Sequence, residues 1–245
     1  MYTKEALKED LKQMGLCGTE TVMIHSSMKA IGDVEGRADT VLDALSEFFR
    51  DGLLMLPTLT WNLAWEKEPV FDVQETPSLV GILPQLFRKR EHVVRSLHPT
   101  HSVAALGRDA EWITGEDHLD DLPCGEHSAW HKLMERDGVI LMVGCTLTSC
   151  TFIHGVEAWC DIPDRLDAPV RYQVIGKDGE QCEVVSRPHK GSPSEQYYLA
   201  EEALRKCGAL RDGKLGDARV MVISARGCYE TVKRLLSENP QLFNE

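Results

Sequence analysis

The sequence predicts an α/β fold, a mixed sheet built from βαβ units with helices on both faces and an inserted β-hairpin region. Near the N-terminus, two short apolar runs at 22–24 and 53–56 enclose a stretch whose apolar residues recur at helical spacing. Strand, helix and strand in this order are typical of a parallel βαβ unit. Further along, apolar runs at 170–175 and 182–185 flank Asp178-Gly179, a dipeptide that favours a hairpin turn.

The remaining elements follow from apolar periodicity and from residues that begin or end helices. Thr3 is expected to cap a first helix that ends near Gly15, and Asp39 to cap the helix of the βαβ unit. Further helices are expected from Ser78, kinked at Pro84, and at 128–135, 152–159, 194–207 and 228–238, with strands near 93–94 and at 103–106, 139–143 and 220–224. We expect one domain over residues 1–245, with a sub-domain boundary near 165 as the alternative.

Charge and composition restrict the partners and the compartment. The 27 basic and 39 acidic side chains give a net charge of −12, which argues against nucleic acid because its phosphates need Lys and Arg. No apolar signal core opens the chain, and the longest apolar run, 139–143, is too short to span a bilayer. Eight cysteines without a signal segment indicate reduced thiols. We therefore expect a cytoplasmic protein with no membrane partner; the sequence leaves a homodimer open.

Polar residues follow three of the predicted strands. His25-Ser26-Ser27 ends the first strand, residues 58–62 follow the second, and residues 146–151 follow the strand at 139–143. In open α/β sheets, ligands bind beyond the carboxyl ends of the strands. If these strands are parallel neighbours, the three loops form one crevice, and we expect the functional site there.

The third loop leads into a helix that carries a possible catalytic pair. His154 and Glu157 lie three residues apart, so they share one face of that helix. A carboxylate beside an imidazole can fix its tautomer and stabilise its protonated form. The small polar side chains of the loop, and the helix N-terminus behind them, suit an anion or a developing oxyanion.

Five stretches occur in one order between about residues 20 and 165, and together they resemble the aminoglycoside 3-N-acetyltransferase family of antibiotic acetyltransferases. The most specific is the stretch His98-Pro99-Thr100-His101-Ser102-Val103-Ala104-Ala105-Leu106-Gly107. The others are Val22-Met23-Ile24-His25-Ser26-Ser27 with Ile31-Gly32, then Leu54-Met55-Leu56-Pro57-Thr58, then Gly125-Glu126-His127-Ser128-Ala129-Trp130-His131-Lys132-Leu133, and finally His154-Gly155-Val156-Glu157. The C-terminal third resembles the family only loosely.

The resemblance implies a fold unlike that of the GCN5-related acetyltransferases, and acetyl-CoA as acetyl donor with no metal. It implies His154 as general base with Glu157 as its acidic partner, and a small-molecule amine, in the first place an aminoglycoside acetylated at its 3-amino group, as acceptor. It further places His25, Ser26, Ser27, His101 and Ser102 along the cleft for CoA and acceptor, and we assign acceptor contacts to Thr58, Trp61, Thr148 and Cys150.

The chain departs from the family at the turn before His154. The family commonly carries an Asp and then an Asn-Thr pair there, whereas this chain has Thr148 and Cys150-Thr151. The missing carboxylate and amide bear on the acceptor more than on the reaction. Another amine metabolite is therefore the alternative acceptor, and an inactive relative that only binds CoA or another ligand is the non-enzymatic alternative.

In the expected mechanism, His154 accepts a proton from an amine that attacks the thioester directly. His25 shares the role of base or oxyanion donor, beside Ser26, Ser27 or the 146–151 turn. Asp161, Asp164 and Asp167 either attract a cationic acceptor or form a solvated acidic loop.

Two other chemistries use the same cysteines. Cys145, Cys150, His154 and Cys160 can be read as a metal cluster, although they lack a Cys-x-x-Cys spacing. Cys150 with His154 can be read as a nucleophile and its base, against the simpler interpretation of a buried inert thiol.

Overall fold

The computed structural model describes residues 1–244 of the chain. In chain order its strands are β1 (Thr21–Ser26), β2 (Leu53–Pro57), β3 (Val70–Asp72), β4 (Val94–Arg95), β5 (Val103–Gly107), β6 (Val139–Val143), β7 (Val170–Ile175), β8 (Gln181–Ser186), β9 (Leu210–Leu215) and β10 (Ala218–Ser224). Its α-helices are α1 (Lys4–Gln13), α2 (Met28–Ile31), α3 (Arg37–Phe48), α4 (Ile82–Phe87), α5 (Ala110–Thr114), α6 (Ala129–Glu135), α7 (Thr151–Trp159), α8 (Glu201–Lys206) and α9 (Ala225–Glu238). Short 3-10 helices occupy Trp61–Trp65, Leu147–Ser149 and Pro193–Ala200.

The main sheet is mixed, with its strands in the order β4-β5-β2-β1-β6-β10-β9. Its centre is parallel, because β1 pairs in parallel with both β2 and β6. The outer pairings, of β5 with β2 and β4 and of β10 with β6 and β9, are antiparallel. Every residue of β2 is buried, as expected of a strand covered on both faces. The parallel βαβ unit and the mixed sheet are confirmed.

Helices cover both faces of this sheet, as the sequence predicts. On one face, α1, α3 and α4 bury residues such as Leu11, Leu42 and Phe87 against the sheet. On the other face, α5, α6, α7 and α9 enclose a second core that includes Trp130 and Phe152. The α1 cap is also confirmed, since the Thr3 hydroxyl accepts a hydrogen bond from the Ala6 amide.

The predicted hairpin forms, but it belongs to a separate small sheet. β7 and β8 pair antiparallel around Gly179, which adopts φ +81° and so needs glycine's freedom there. β7 also pairs in parallel with β3, a strand that the sequence did not predict. Phe71, Tyr172 and Val174 form a core of their own between these strands.

Some local predictions were wrong, each because tertiary contacts outweigh a local signal. Gly36, not Asp39, caps α3, and Asp39 lies in the first turn instead. No helix begins at Ser78: the Leu79 amide donates to the Leu59 carbonyl, and α4 begins only at Ile82. β9 was missed because it is an edge strand with buried residues only at its two ends.

Because β1, β2 and β6 run in the same direction, the loops beyond their carboxyl ends meet at one edge of the sheet. Among residues 1–244, no helix is long and apolar enough to cross a bilayer.

Candidate active site

A cavity of about 590 Å³ opens at that edge of the sheet. All three polar loops contribute to its wall, together with the segment between β8 and the 3-10 helix at Pro193–Ala200. Among the residues that line it are His25, Ser26, Leu59, Trp61, His101, Thr148, Ser149, Cys150, Thr151, His154 and His189. The prediction that the three loops converge on one crevice is therefore confirmed.

His154, on the first turn of α7, is held by a tyrosine that no local sequence pattern marks as its partner. The hydroxyl of Tyr197 lies 2.6 Å from Nδ1 of His154 and donates to Oε2 of Glu157 at 2.5 Å. Nδ1 of His154 and Oε2 of Glu157 themselves are 3.6 Å apart, too far for a hydrogen bond. The predicted His154–Glu157 pair thus acts through Tyr197 rather than by direct contact.

This chain of contacts fixes the tautomer of His154. Burial, followed by the negative charge of Glu157, raises the pKa of Tyr197 well above its usual value, so its hydroxyl keeps the proton. That single proton goes to the Glu157 carboxylate, and the phenol oxygen is then left to accept a hydrogen bond from Nδ1–H of His154. In the neutral imidazole, Nε2 is then the ring nitrogen without a hydrogen, and it is the one that can act as a base.

Glu157 is ionised although it is only 1% exposed. Burial would raise its pKa, but attraction to His154, Tyr197 and Arg165 outweighs burial and lowers the pKa below its ordinary value. The Arg165 guanidinium, itself buried, donates from Nε to Oε1 of Glu157 at 2.5 Å and also bonds the Asn244 side chain. A buried carboxylate with an arginine and a tyrosine on its two oxygens is fixed in place.

Two further histidines stand beside His154. The His189 ring stacks on the His154 ring at a centroid separation of 3.9 Å, and the His101 ring meets His189 edge-on at 4.9 Å. Burial lowers the pKa of both His101 and His189 well below the ordinary value, and the neighbouring histidines lower it further. Both rings are therefore neutral at pH 7.

His25 and Ser26, at the end of β1, offer polar atoms to the same cavity. Burial lowers the pKa of His25 to about 4, so it is neutral too. Its Nε2, like the hydroxyl of Ser26, is shielded from solvent and has no hydrogen-bond partner within residues 1–244. Polar atoms of this kind are rare unless a ligand or ion completes them.

Besides Glu157, three of the predicted site residues do not line the cavity. Thr58 and Ser102 are fully buried, and their hydroxyls bond each other at 2.8 Å and both accept from Nε of Arg95. Ser27 precedes α2 as its N-cap residue, and its amide donates to the Val143 carbonyl. Contrary to the prediction, these three residues are not in the cavity wall. For Thr58 and Ser102 the reason is that their hydroxyls bond each other and Arg95.

Trp61, Thr148 and Cys150 do line the cavity, as predicted. The Cys150 thiol is buried, and burial raises its pKa to about 12, against a smaller opposite effect of the Ile153 and Phe152 amides. A thiol with so high a pKa is not an activated nucleophile.

Within residues 1–244, Cys145, Cys150, Cys160 and His154 do not come together as a set of metal ligands. Cys145 and Cys150 lie at the cavity, and all eight cysteines are free thiols. Within residues 1–244, one set of three potential metal ligands has donor atoms within 4.8 Å of one another, and it is a different set: His101, Cys124 and His189.

A second cavity, of about 330 Å³, adjoins the first at His154. His154 and His189 line both cavities, so the stacked pair belongs to the wall of each. Asp161 and Asp164 line this smaller cavity beside Arg165 and Arg187, whereas Asp167 does not.

Tyr197, Arg165 and His189 are the residues of this site that sequence reasoning missed. Tyr197 is 43 positions from His154, in the 3-10 helix at Pro193–Ala200, and nothing in its local sequence marks it as a partner of His154. The only local hint was the cluster of charge at 161–167, which includes Arg165.

Comparison with known proteins identifies the family of this chain. A family model described as aminoglycoside 3-N-acetyltransferase matches residues 23–237. The aminoglycoside N(3)-acetyltransferase VII of Streptomyces paromomycinus is 33% identical over 255 residues, which cover 91% of this chain and 88% of that protein.

Solved structures share the fold. That of the YokD protein from Bacillus subtilis is 26% identical and covers 97% of this chain and 93% of its own, with a TM-score of 0.84. That of AAC-IIIb in binary complex with CoASH is 24% identical and covers 97% of both chains, with a TM-score of 0.82. The family model and the Streptomyces relative each span most of the sequence, and this chain belongs to the aminoglycoside 3-N-acetyltransferase family.

Proposed function

We propose that this chain transfers the acetyl group of acetyl-CoA to an amine of an aminoglycoside, at its 3-amino group, with His154 as the general base. The observation that carries the proposal is the position of His154. Its Nδ1 is engaged by Tyr197, which leaves Nε2 free to accept a proton, and His154 lines both cavities. Such an arrangement allows a donor in one cavity and an acceptor in the other to reach the same base.

The larger cavity is the proposed site of the donor. Its lining within residues 1–244 includes no Asp, Glu, Lys or Arg, and its histidines with lowered pKa are neutral, so it suits the uncharged thioester arm of acetyl-CoA. Its volume of about 590 Å³ is in the range of small-molecule and cofactor sites. The related fold of AAC-IIIb has been solved with CoASH, which supports the same donor here. His25, Ser26 and His101 are the proposed donor contacts, in that cavity wall.

The smaller cavity is the proposed entrance for the acceptor. An aminoglycoside carries several ammonium groups, and Asp161 and Asp164 supply carboxylates where the larger cavity has none. The opposing charge is reduced, because Arg165 is paired with Glu157. Trp61 and Thr148 would contact the acceptor where it reaches through to the donor side.

The chemical step needs one proton acceptor and one oxyanion donor. Nε2 of His154 removes a proton from the attacking amine as its nitrogen bonds to the thioester carbonyl carbon. The Ser26 hydroxyl, which has no partner within residues 1–244, can donate to the oxygen that becomes negative. The carbon–sulfur bond then breaks, and the CoA thiolate takes the proton from the His154 imidazolium. The products are the acetamide and CoASH.

The turn before His154 differs from the family pattern, and this difference supports one alternative acceptor. Thr148 and Cys150 stand where the family commonly has a carboxylate and an amide, so an amine metabolite other than an aminoglycoside is the second candidate. We place the enzyme in the cytoplasm, since its free cysteines fit a reducing compartment. A homodimer is compatible with this proposal and is not needed by it.

The test is release of CoASH from acetyl-CoA in the presence of single amines. The panel holds several aminoglycosides, among them gentamicin, apramycin and sisomicin, beside polyamines and amino sugars without the aminoglycoside core. We expect turnover with an aminoglycoside and an acetyl group on its 3-amino nitrogen, located by NMR of the product. Turnover only with another amine would move the acceptor to the second candidate. CoASH binding without turnover on any amine would favour an inactive ligand-binding relative.

A further inference from the structure

Beside the larger cavity lies a group of three potential metal ligands, of which the proposed acetyl transfer uses only His101, as a donor contact. His101 lies before β5, Cys124 before α6, and His189 after β8, so three separate loops meet there. The donor atoms of the three side chains are all within 4.8 Å of one another. Tetrahedral zinc with two nitrogen ligands and one sulfur ligand requires ligand separations of ~3.3–3.6 Å. The donors would have to approach one another by at most about 1.5 Å to reach that spacing.

The state of His189 is what makes this group more than a coincidence. Both of its ring nitrogens are shielded from solvent, and neither has a hydrogen-bond partner of good geometry within residues 1–244; a weaker contact with the Arg165 backbone is the smallest of the influences on the pKa of His189. Leaving a buried donor or acceptor unsatisfied costs about 1–3 kcal/mol, so such an atom calls for a ligand or ion. A metal ion bound between His189, His101 and Cys124 would satisfy one of the two.

The other two ligands are already held in place. The Thr100 hydroxyl lies 3.0 Å from Nδ1 of His101, an arrangement in which the other nitrogen of a metal-bound histidine is commonly fixed. The loop of Cys124 is anchored at its backbone, because the Trp159 indole donates to the Cys124 carbonyl at 2.8 Å. Cys124 is fully buried, whereas His101 and His189 line the larger cavity, through which an ion can enter.

The geometry points to a site for a thiophilic divalent cation, Zn²⁺ in the first place, formed by His101, Cys124 and His189. Two imidazoles and a thiolate are ligands that zinc prefers, and three protein ligands leave a fourth position open toward the larger cavity. A bound ion stands in the cavity wall next to His154. If the proposed acetyl transfer is right, Zn²⁺ therefore inhibits it, and a chelator restores it.

Cobalt provides a readout that does not depend on activity. Co²⁺ is added to the full-length, chelator-treated protein, and the near-ultraviolet charge-transfer band between thiolate and cobalt is recorded. We expect the band in the wild type, its loss in Cys124→Ser and in His189→Gln, and its retention in Cys182→Ser, which removes an exposed thiol on β8. Zn²⁺ added afterwards should remove the wild-type band by displacement. Zn²⁺ affinity measured by calorimetry should be at least about tenfold weaker in either ligand variant than in the wild type.

Thermal unfolding without metal checks that each variant is folded. If Cys124→Ser does not fold, the loss or retention of the cobalt band in His189→Gln tests the metal site. No band in the wild type, or the same band in Cys124→Ser, overturns the metal site. Zn²⁺ inhibition, expressed against each variant's own zinc-free rate, should fall in Cys124→Ser; inhibition that persists there unchanged breaks the link between the site and activity. A protein that shows the band but acetylates no amine leaves the metal site standing and removes the proposed function instead.

Discussion

The hydroxyl of Tyr197 lies 2.6 Å from Nδ1 of His154 and makes the tyrosine, not the glutamate, the direct partner of the proposed base. Glu157 acts at one remove, by accepting the proton of that hydroxyl at 2.5 Å. The tautomer of His154 therefore depends on a residue from a different element, the 3-10 helix at Pro193–Ala200.

Tyr197→Phe keeps the ring and removes this hydrogen-bond link. We expect kcat for acetyl transfer to fall by roughly 10- to 100-fold, a part of the 10²–10⁴ that general-base catalysis supplies. KM for acetyl-CoA should change little, since Tyr197 does not line the larger cavity. Initial rates of CoASH release measure both. Tyr198→Phe is the matched control, because that neighbouring tyrosine is 52% exposed. Equal rates in the two variants would remove Tyr197 from the mechanism.

Asp161→Asn tests the side from which the acceptor enters. Asp161 has φ +52°, a conformation that asparagine tolerates, so the loop should keep its shape. We expect KM for the aminoglycoside to rise by roughly 2- to 5-fold, because exposed charge pairs contribute about 0.2–1 kcal/mol. The rise should shrink in high salt, and KM for acetyl-CoA should not follow it. Asp167→Asn is the control, because Asp167 lies six residues further along the chain and does not line the cavity. If Asp167→Asn has the larger effect, the acceptor does not use the smaller cavity.

Cys150→Ala distinguishes direct transfer from an acyl-enzyme. Because burial raises the pKa of the Cys150 thiol to about 12, it carries no useful thiolate at pH 7. We expect the variant to retain most of the wild-type rate, and intact-protein mass spectrometry to detect no acetylated enzyme after incubation with acetyl-CoA alone. A folded but inactive Cys150→Ala variant, together with an acetyl adduct on the wild type, would establish the thiol as nucleophile.

We expect Asp117→Asn to stabilise the folded protein by an amount that depends on pH. Burial raises the pKa of Asp117 to about 7, against smaller opposite effects of Ser96 and Lys132. The folded protein therefore binds a proton that the unfolded chain has lost between about pH 4 and pH 7, and the wild type loses stability as pH rises through this window. Asparagine is neutral throughout, so the variant should gain up to about 4 kcal/mol over wild type at pH 8 and little at pH 4.

Urea unfolding at the two pH values measures that difference, with the exposed Asp178→Asn as control. A stability difference that is the same at both pH values would mean that Asp117 is ionised in the folded protein.

Much of this architecture can be predicted because its signals are local. The parallel strands β1 and β2, the helix between them, and the Asp-Gly hairpin each rest on residues close in sequence. β3 cannot be predicted in this way: three residues become a strand only because β7, far along the chain, pairs with them. β9 is an edge strand whose polar residues hide its periodicity.

The site divides along the same line. His154 and the loops at 25–27 and 146–151 follow strand ends, and their position at the cavity could be anticipated. Thr58 and Ser102 also lie at strand ends, but their hydroxyls accept hydrogen bonds from Arg95. Arg95 is 37 positions from Thr58, so this contact leaves no trace in the sequence around Thr58. Tyr197 and His189 reach His154 only through the folding of the C-terminal third, where the sequence pattern is weakest.

The most direct test of the account is the rate of CoASH release by His154→Gln, with acetyl-CoA and an aminoglycoside that the wild type turns over, beside CoASH affinity measured by calorimetry. Loss of the base should lower kcat by about 10²–10⁴ while CoASH affinity stays within a few-fold of wild type. A His154→Gln variant that binds CoASH and acetylates the aminoglycoside at the wild-type rate would contradict the assignment of His154 as the base.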